Sequence, residues 1–78
     1  MQVELLKVIV RAIVSNPEAV KVTEERRQAQ TILVLEVAPE DVGRVIGRQG
    51  RIIKAIRKVL RTAGGPRARY VTIDVVSR

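Results

Sequence analysis

The chain contains no cysteine, histidine, tryptophan or phenylalanine, and a single tyrosine, Tyr70. Without cysteine there is no disulfide framework, zinc ribbon or redox pair, which fits a reducing, cytoplasmic setting. Without histidine the commonest metal ligand and the usual neutral-pH acid–base group are missing, so neither a metal nor a cofactor is expected. Modules that stack bases on Phe, Tyr or Trp fit poorly, because one tyrosine makes no platform. Long apolar runs are also absent. The stretch from Leu5 to Val14 is too short and too interrupted to span a membrane. It has no basic start and no small-residue cleavage site after it, so it reads as a core-packing helix. At 78 residues the expectation is one domain over positions 1–78, burying only about 60% of its unfolded surface. A fold with so thin a margin gains from a dimer partner.

Acidic residues are scarce, 8 Asp+Glu against 15 Lys+Arg, for a net charge of +7. The imbalance is not uniform. Residues 1–42 hold five basic and seven acidic side chains, a net of −2; residues 43–78 hold ten basic ones against Asp74 alone, a net of +9. A merely solvated surface mixes both signs. With 46% hydrophobic residues the chain is too apolar for a disordered basic tail, so it reads as a folded basic domain with an anionic partner. Nucleic acid leads among such partners, ahead of an anionic membrane surface.

Polar residues at Glu4, Lys7, Arg11 and Ser15 trace one face of a helix from Gln2 to Ser15, which Asn16-Pro17 ends. Alternation then begins, with Val20 and Val22 apolar between Lys21 and Thr23, and predicts a strand within Ala19 to Arg27. A polar link, Arg27-Gln28-Ala29-Gln30, leads to Thr31-Ile32-Leu33-Val34-Leu35-Glu36-Val37, a run apolar enough for a central strand in an antiparallel hairpin. Pro39 suits a first helical position, and Glu40-Asp41 suit the positive end of a helix dipole. That short helix stops at Gly47, and a second runs from Arg51 to Ala63, with Ile52, Ile53, Ile56, Val59 and Leu60 against Arg51, Lys54, Arg57, Lys58 and Arg61. Gly64-Gly65-Pro66 stops it, and a last strand covers Ala68 to Val76.

The basic residues converge on Arg44-Val45-Ile46-Gly47-Arg48-Gln49-Gly50-Arg51-Ile52-Ile53-Lys54. A Gly-x-x-Gly link between two helices lets the backbone turn sharply and approach a ligand without Cβ clashes. It also sets the first N–H groups of the following helix beside the turn, which favours a phosphate. Gly47 and Gly50 permit the turn, and Arg48 and Gln49 face the phosphates. Arg44, Arg51 and Lys54 reinforce the positive lip, and Val45, Ile46 and Ile53 form an apolar floor. For Val45 and Ile46, plain core packing competes evenly with that role. Arg57, Lys58 and Arg61 read as either footprint or solvated helix face, and Arg67 and Arg69 border the groove or lie outside it. Neither a P-loop nor a dinucleotide-binding Gly-x-Gly-x-x-Gly is present.

Val45-Ile46-Gly47-x-x-Gly50-x-x-Ile53-x-x-Ile56 resembles the core signature of KH domains, whose Gly-x-x-Gly loop clamps about four nucleotides. The element order is similar to that of type II KH domains, and the size to the bacterial stand-alone KhpA family. The resemblance covers nearly the whole chain. It implies an α+β fold of order α-β-β-α-α-β, with a three-stranded mixed sheet and three helices packed on it. It also implies single-stranded RNA across Gly47-Arg48-Gln49-Gly50 and the adjacent groove, and a role as a small RNA regulator or chaperone linked to cell shape. The partners it implies are a second copy of the chain or a larger KH-domain RNA-binding protein.

Other classes compete. In one, the chain is chiefly a dimerising interaction module and its loop is a vestige. In another, the Arg51 to Ala63 helix is the reader of a DNA-binding helix-turn-helix, although its exposed side lacks Asn or Gln to read adenine. An enzyme is least favoured, since no nucleophile–base pair accompanies the loop.

Overall fold

In a computed structural model, which describes residues 2–65 and 71–77, the elements follow the order the periodicities require. They are α1 (Gln2–Arg11), β1 (Lys21–Arg27), β2 (Gln30–Val37), α2 (Val42–Ile46), α3 (Arg51–Gly64) and β3 (Val71–Ser77). Single 3-10 turns occupy Pro17–Ala19, Pro39–Asp41 and Arg48–Gly50. The sheet order is β1-β2-β3. β1 and β2 are antiparallel, with Arg27 opposite Gln30, so Gln28 and Ala29 alone make the turn. β2 and β3 are parallel, with Leu33 opposite Ile73. A parallel pair needs a long crossover, and α2 with α3 supplies it.

β2 is the central strand because it is apolar on both faces. Leu33, Leu35 and Val37 are buried under the helices, while Ile32 and Val34 on the other face are half-buried. β1, an edge strand, keeps only Val22 half-buried, in line with its charged sequence. Leu6 and Val10 from α1, Val45 from α2, and Ile56 and Leu60 from α3 close the core. Each such side chain contributes roughly 1.5–3 kcal/mol by leaving water.

The first helix ends at Arg11, short of the Ser15 that its polar face predicts. Beyond it the chain tightens, with Ile13 N–H donating to Val10 O at 3.0 Å. Ile13 and Val14 still pack against the core. The cause lies far away in sequence. The backbone N–H groups of Ser15 and Asn16 are taken by the carboxylate of Asp41, at 2.9 and 3.0 Å. Glu40 and Asp41 stand at the entry of α2, where the dipole favours them; Asp41 is also 0% exposed and ties the exit of α1 to that entry. Pro39 does occupy the start of the turn leading into α2. The final strand is observed from Val71, and the Ala68 start expected for it lies outside the described residues, as do Arg67, Arg69 and Tyr70.

Candidate nucleic-acid interface

The glycine link takes a conformation that ordinary residues resist. Gly47 has φ 75° and ψ 174°, a region essentially reserved for glycine. A Cβ there would also lie 2.6 Å from Cγ1 of Ile52, so the first turn of α3 packs directly on the Gly47 backbone. Gly50 is left-handed at φ 74°, but a Cβ on it would meet only ordinary contacts. Between them Gln49 also has positive φ, 57°. Two glycines and a strained residue thus reverse the chain in one turn, which is closed by Gly50 N–H donating to Gly47 O at 3.1 Å. The N–H of Arg51 donates back to Arg48 O, so one of the donors expected for a phosphate serves the turn itself.

Around that turn Arg48, Gln49, Arg51 and Lys54 are exposed, while Ile46 and Ile53 are half-buried beside them. Among the described residues, none of Arg48, Arg51 and Lys54 forms an ion pair. Arg44 does, with Nε 3.7 Å from Asp41 Oδ1. The Asp41 carboxyl is held below the usual carboxylate range, chiefly by the hydrogen bond from the Ser15 backbone; this outweighs the upward push of burial, and Asn16 and Arg44 add to it. Arg44 therefore spends part of its charge on the scaffold.

The two residues left between floor and core separate here. Ile46 keeps exposed surface, whereas Val45 is 0% exposed and belongs to the core, supporting the turn from beneath. Of the residues further round α3, Arg57 is half-buried and Lys58 is exposed. Arg61 is anchored, its Nη2 donating to Val71 O at 3.3 Å. Sequence reasoning did not single out Ile52. It is 40% exposed, yet it forms the wall that Gly47 needs, and it opens a shallow apolar hollow with Ile9, Ile13, Ala55 and Val59 between α1 and α3. The only sequence signal for it was its place in the apolar run.

A helix–Gly-x-x-Gly–helix inserted between parallel strands of a three-stranded mixed sheet defines the type II KH domain. The family model "KhpA/KhpB, KH domain" matches residues 3–75, and the chain belongs to that family. The chain is similar to the RNA-binding protein KhpA of Caldanaerobacter subterraneus subsp. tengcongensis, 44% identical over 94% of this chain and 97% of that protein. It is similar also to the RNA-binding protein KhpA of Clostridium acetobutylicum, at 42% identity with the same coverage. That of Streptomyces coelicolor is 39% identical over 92% of this chain and 91% of its own length. No solved structure matches it.

Proposed function

We propose that the protein binds single-stranded RNA without catalysis, as one KH domain over residues 1–78. Gly47-Arg48-Gln49-Gly50 grips the phosphates, with Arg44, Arg51 and Lys54 around it. Bases rest on the exposed edges of Ile46 and Ile53, with Val45 supporting them from the core. The observation that carries this reading is the loop itself. It is a backbone turn only glycine permits, ringed by exposed cations of which Arg48, Arg51 and Lys54 have no ion-pair partner among the described residues. Aliphatic floor residues also answer the lack of aromatics. The names of the relatives, RNA-binding protein KhpA, point the same way. The role that fits is that of a small cytoplasmic RNA regulator or chaperone, with a link to cell shape; no helix among the described residues is long and apolar enough to cross a membrane.

The test is the double variant Arg48→Asp/Gln49→Asp. Both side chains are exposed, so the fold should persist while RNA binding is abolished. With three or four phosphate contacts at a slope of about −0.7 each, wild-type affinity should fall roughly 20- to 50-fold between 50 and 200 mM salt. A folded double variant that binds RNA at full strength overturns the assignment.

A second reading, a dimerising module that pairs with its own copy or with a larger KH-domain protein, is favoured by one observation. Val8, Ile52 and Val59 are 68%, 40% and 48% exposed on the helical side of the molecule. Light scattering with RNA titration separates the two, since a tight dimer without RNA affinity supports only the second.

A further inference from the structure

Helix α3 has a basic flank that extends well past the glycine loop. Arg51, Lys54, Lys58 and Arg61 follow one another at steps of three, four and three, spacings that keep side chains on one side of a helix. All four are exposed, and α3 contains no acidic residue to alternate with them. Among the described residues no ion pair reaches any of them. Arg57 beside them is half-buried, and its Nε has no hydrogen-bond partner among the described residues. The arrangement works against the helix. Like charges at these spacings repel, and cations in the first turn, where Arg51 and Lys54 stand, face the positive end of the dipole. A bound polyanion reverses both penalties. The far end is held in place, because the Arg61 guanidinium is fixed to Val71 O where β3 begins.

We propose that an RNA strand held at the glycine loop continues along this flank, Lys58 and Arg61 extending the phosphate contacts begun by Arg51 and Lys54. The inference rests on the RNA-binding reading above. From Arg51 to Arg61 the helix rises about 15 Å, which matches about four stacked nucleotide steps at roughly 3.4 Å each. Since Arg51 is shared with the loop, whose clamp takes about four nucleotides, the four further steps bring the whole site to about eight.

The test compares labelled random-sequence single-stranded RNA of four and twelve nucleotides, titrated with the full chain between 50 and 200 mM salt. Longer RNA offers more binding registers, which raises apparent affinity without steepening its salt dependence; the slope for one RNA across variants is therefore the readout. Lys58→Gln/Arg61→Gln should lower the twelve-nucleotide slope by about 1.4, two contacts at about 0.7 each. The wild-type advantage is then about sevenfold larger at 50 than at 200 mM salt. Binding of four nucleotides should stay within about twofold, because the loop fills first. The control Arg11→Gln/Lys21→Gln removes the same charge from two exposed positions on α1 and β1 and should leave the slope unchanged. If the Arg61 substitution unfolds the protein, Lys58→Gln alone should lower the slope by about 0.7. An unchanged twelve-nucleotide slope, an equal loss in the control, or an equal loss for four nucleotides overturns the track and leaves the loop assignment standing. Failure of the wild type to bind either RNA overturns both.

Discussion

The two exposed flanks of α3 differ as completely as two sides of one helix can. Toward α1 lie Ile52, Ala55 and Val59, without a charge among them. The basic flank holds Lys54, Lys58 and Arg61, with Arg51 at the border of that hollow, and no acid on the helix balances them. Ile56 and Leu60 fix the third side in the core. A helix needs one apolar stripe to fold onto its domain. The second apolar flank and the uncompensated basic one are therefore surplus to folding, and each is suited to a different neighbour. They share a rigid scaffold and meet where Arg51 and Lys58 border Ala55 and Val59, so single substitutions show how far one can be damaged with the other left intact.

The largest effect is expected where the flanks meet. Gly47 turns the loop that begins the basic flank, and its backbone rests on Ile52 of the apolar one. Gly47→Ala forces a Cβ into a glycine-only conformation, at a cost of about 1–3 kcal/mol, and the clash with Ile52 adds to it. A domain of this size has only about 4–12 kcal/mol to lose. Urea unfolding should show the loss, and RNA binding should weaken, as should the self-association that the second reading proposes. Gly50→Ala has the φ penalty without the clash and should cost about 1–2 kcal/mol. Equal costs at the two glycines would show that Ile52 yields freely and that the flanks are not mechanically joined.

A smaller and more selective effect is expected at Val59, 48% exposed in the middle of the apolar flank. Val59→Glu raises helix propensity slightly but places a charge in any interface formed there. If the chain pairs through this flank, as the second reading proposes, self-association measured by light scattering should weaken by tenfold or more, about 1.4 kcal/mol. Binding of four-nucleotide RNA should change by less than about twofold, since the loop takes those nucleotides. Equal losses in both would mean that the two flanks serve one function.

Much of this was legible in the sequence, for local reasons. Period-two and helical patterns, with punctuation at Asn16-Pro17, Gly47, Gly50 and Gly64-Gly65, are short-range signals, and they placed six elements in order. The loop was legible because glycines and arginines at fixed spacing carry their chemistry in their identity. What escaped depends on contacts between distant residues. The early end of α1 follows from Asp41 capturing the N–H groups of Ser15 and Asn16, more than twenty residues away. Val45 and Ile46 are adjacent and alike in composition, so only packing sends the first into the core and leaves the second at the surface. Ile52 belongs to the same apolar run as Ile53 and Ile56, and no spacing rule showed that it would face outward against Gly47.

The smallest expected effect concerns the joint that holds α1, and so the wall of the apolar flank, to the loop helix. Asp41 has a carboxyl lowered by the Ser15 and Asn16 backbone donors and by Arg44. A group whose pKa is lower folded than unfolded adds stability above its unfolded value, near 3.9, and that contribution is lost as pH falls through the folded value. The comparison is between wild type and Asp41→Asn, melted at intervals from pH 7 to pH 3. The variant keeps an acceptor oxygen but no charge, so it should melt lower by a constant margin down to about pH 4, and the margin should then narrow. Glu40, whose Oε2 accepts from Asn16 Nδ2 at 2.8 Å, is unchanged in the variant. A margin that does not change with pH would assign the role of Asp41 to hydrogen-bond geometry alone. In that case the tie between the exit of α1 and the entry of α2 would hold in acid as firmly as at neutrality.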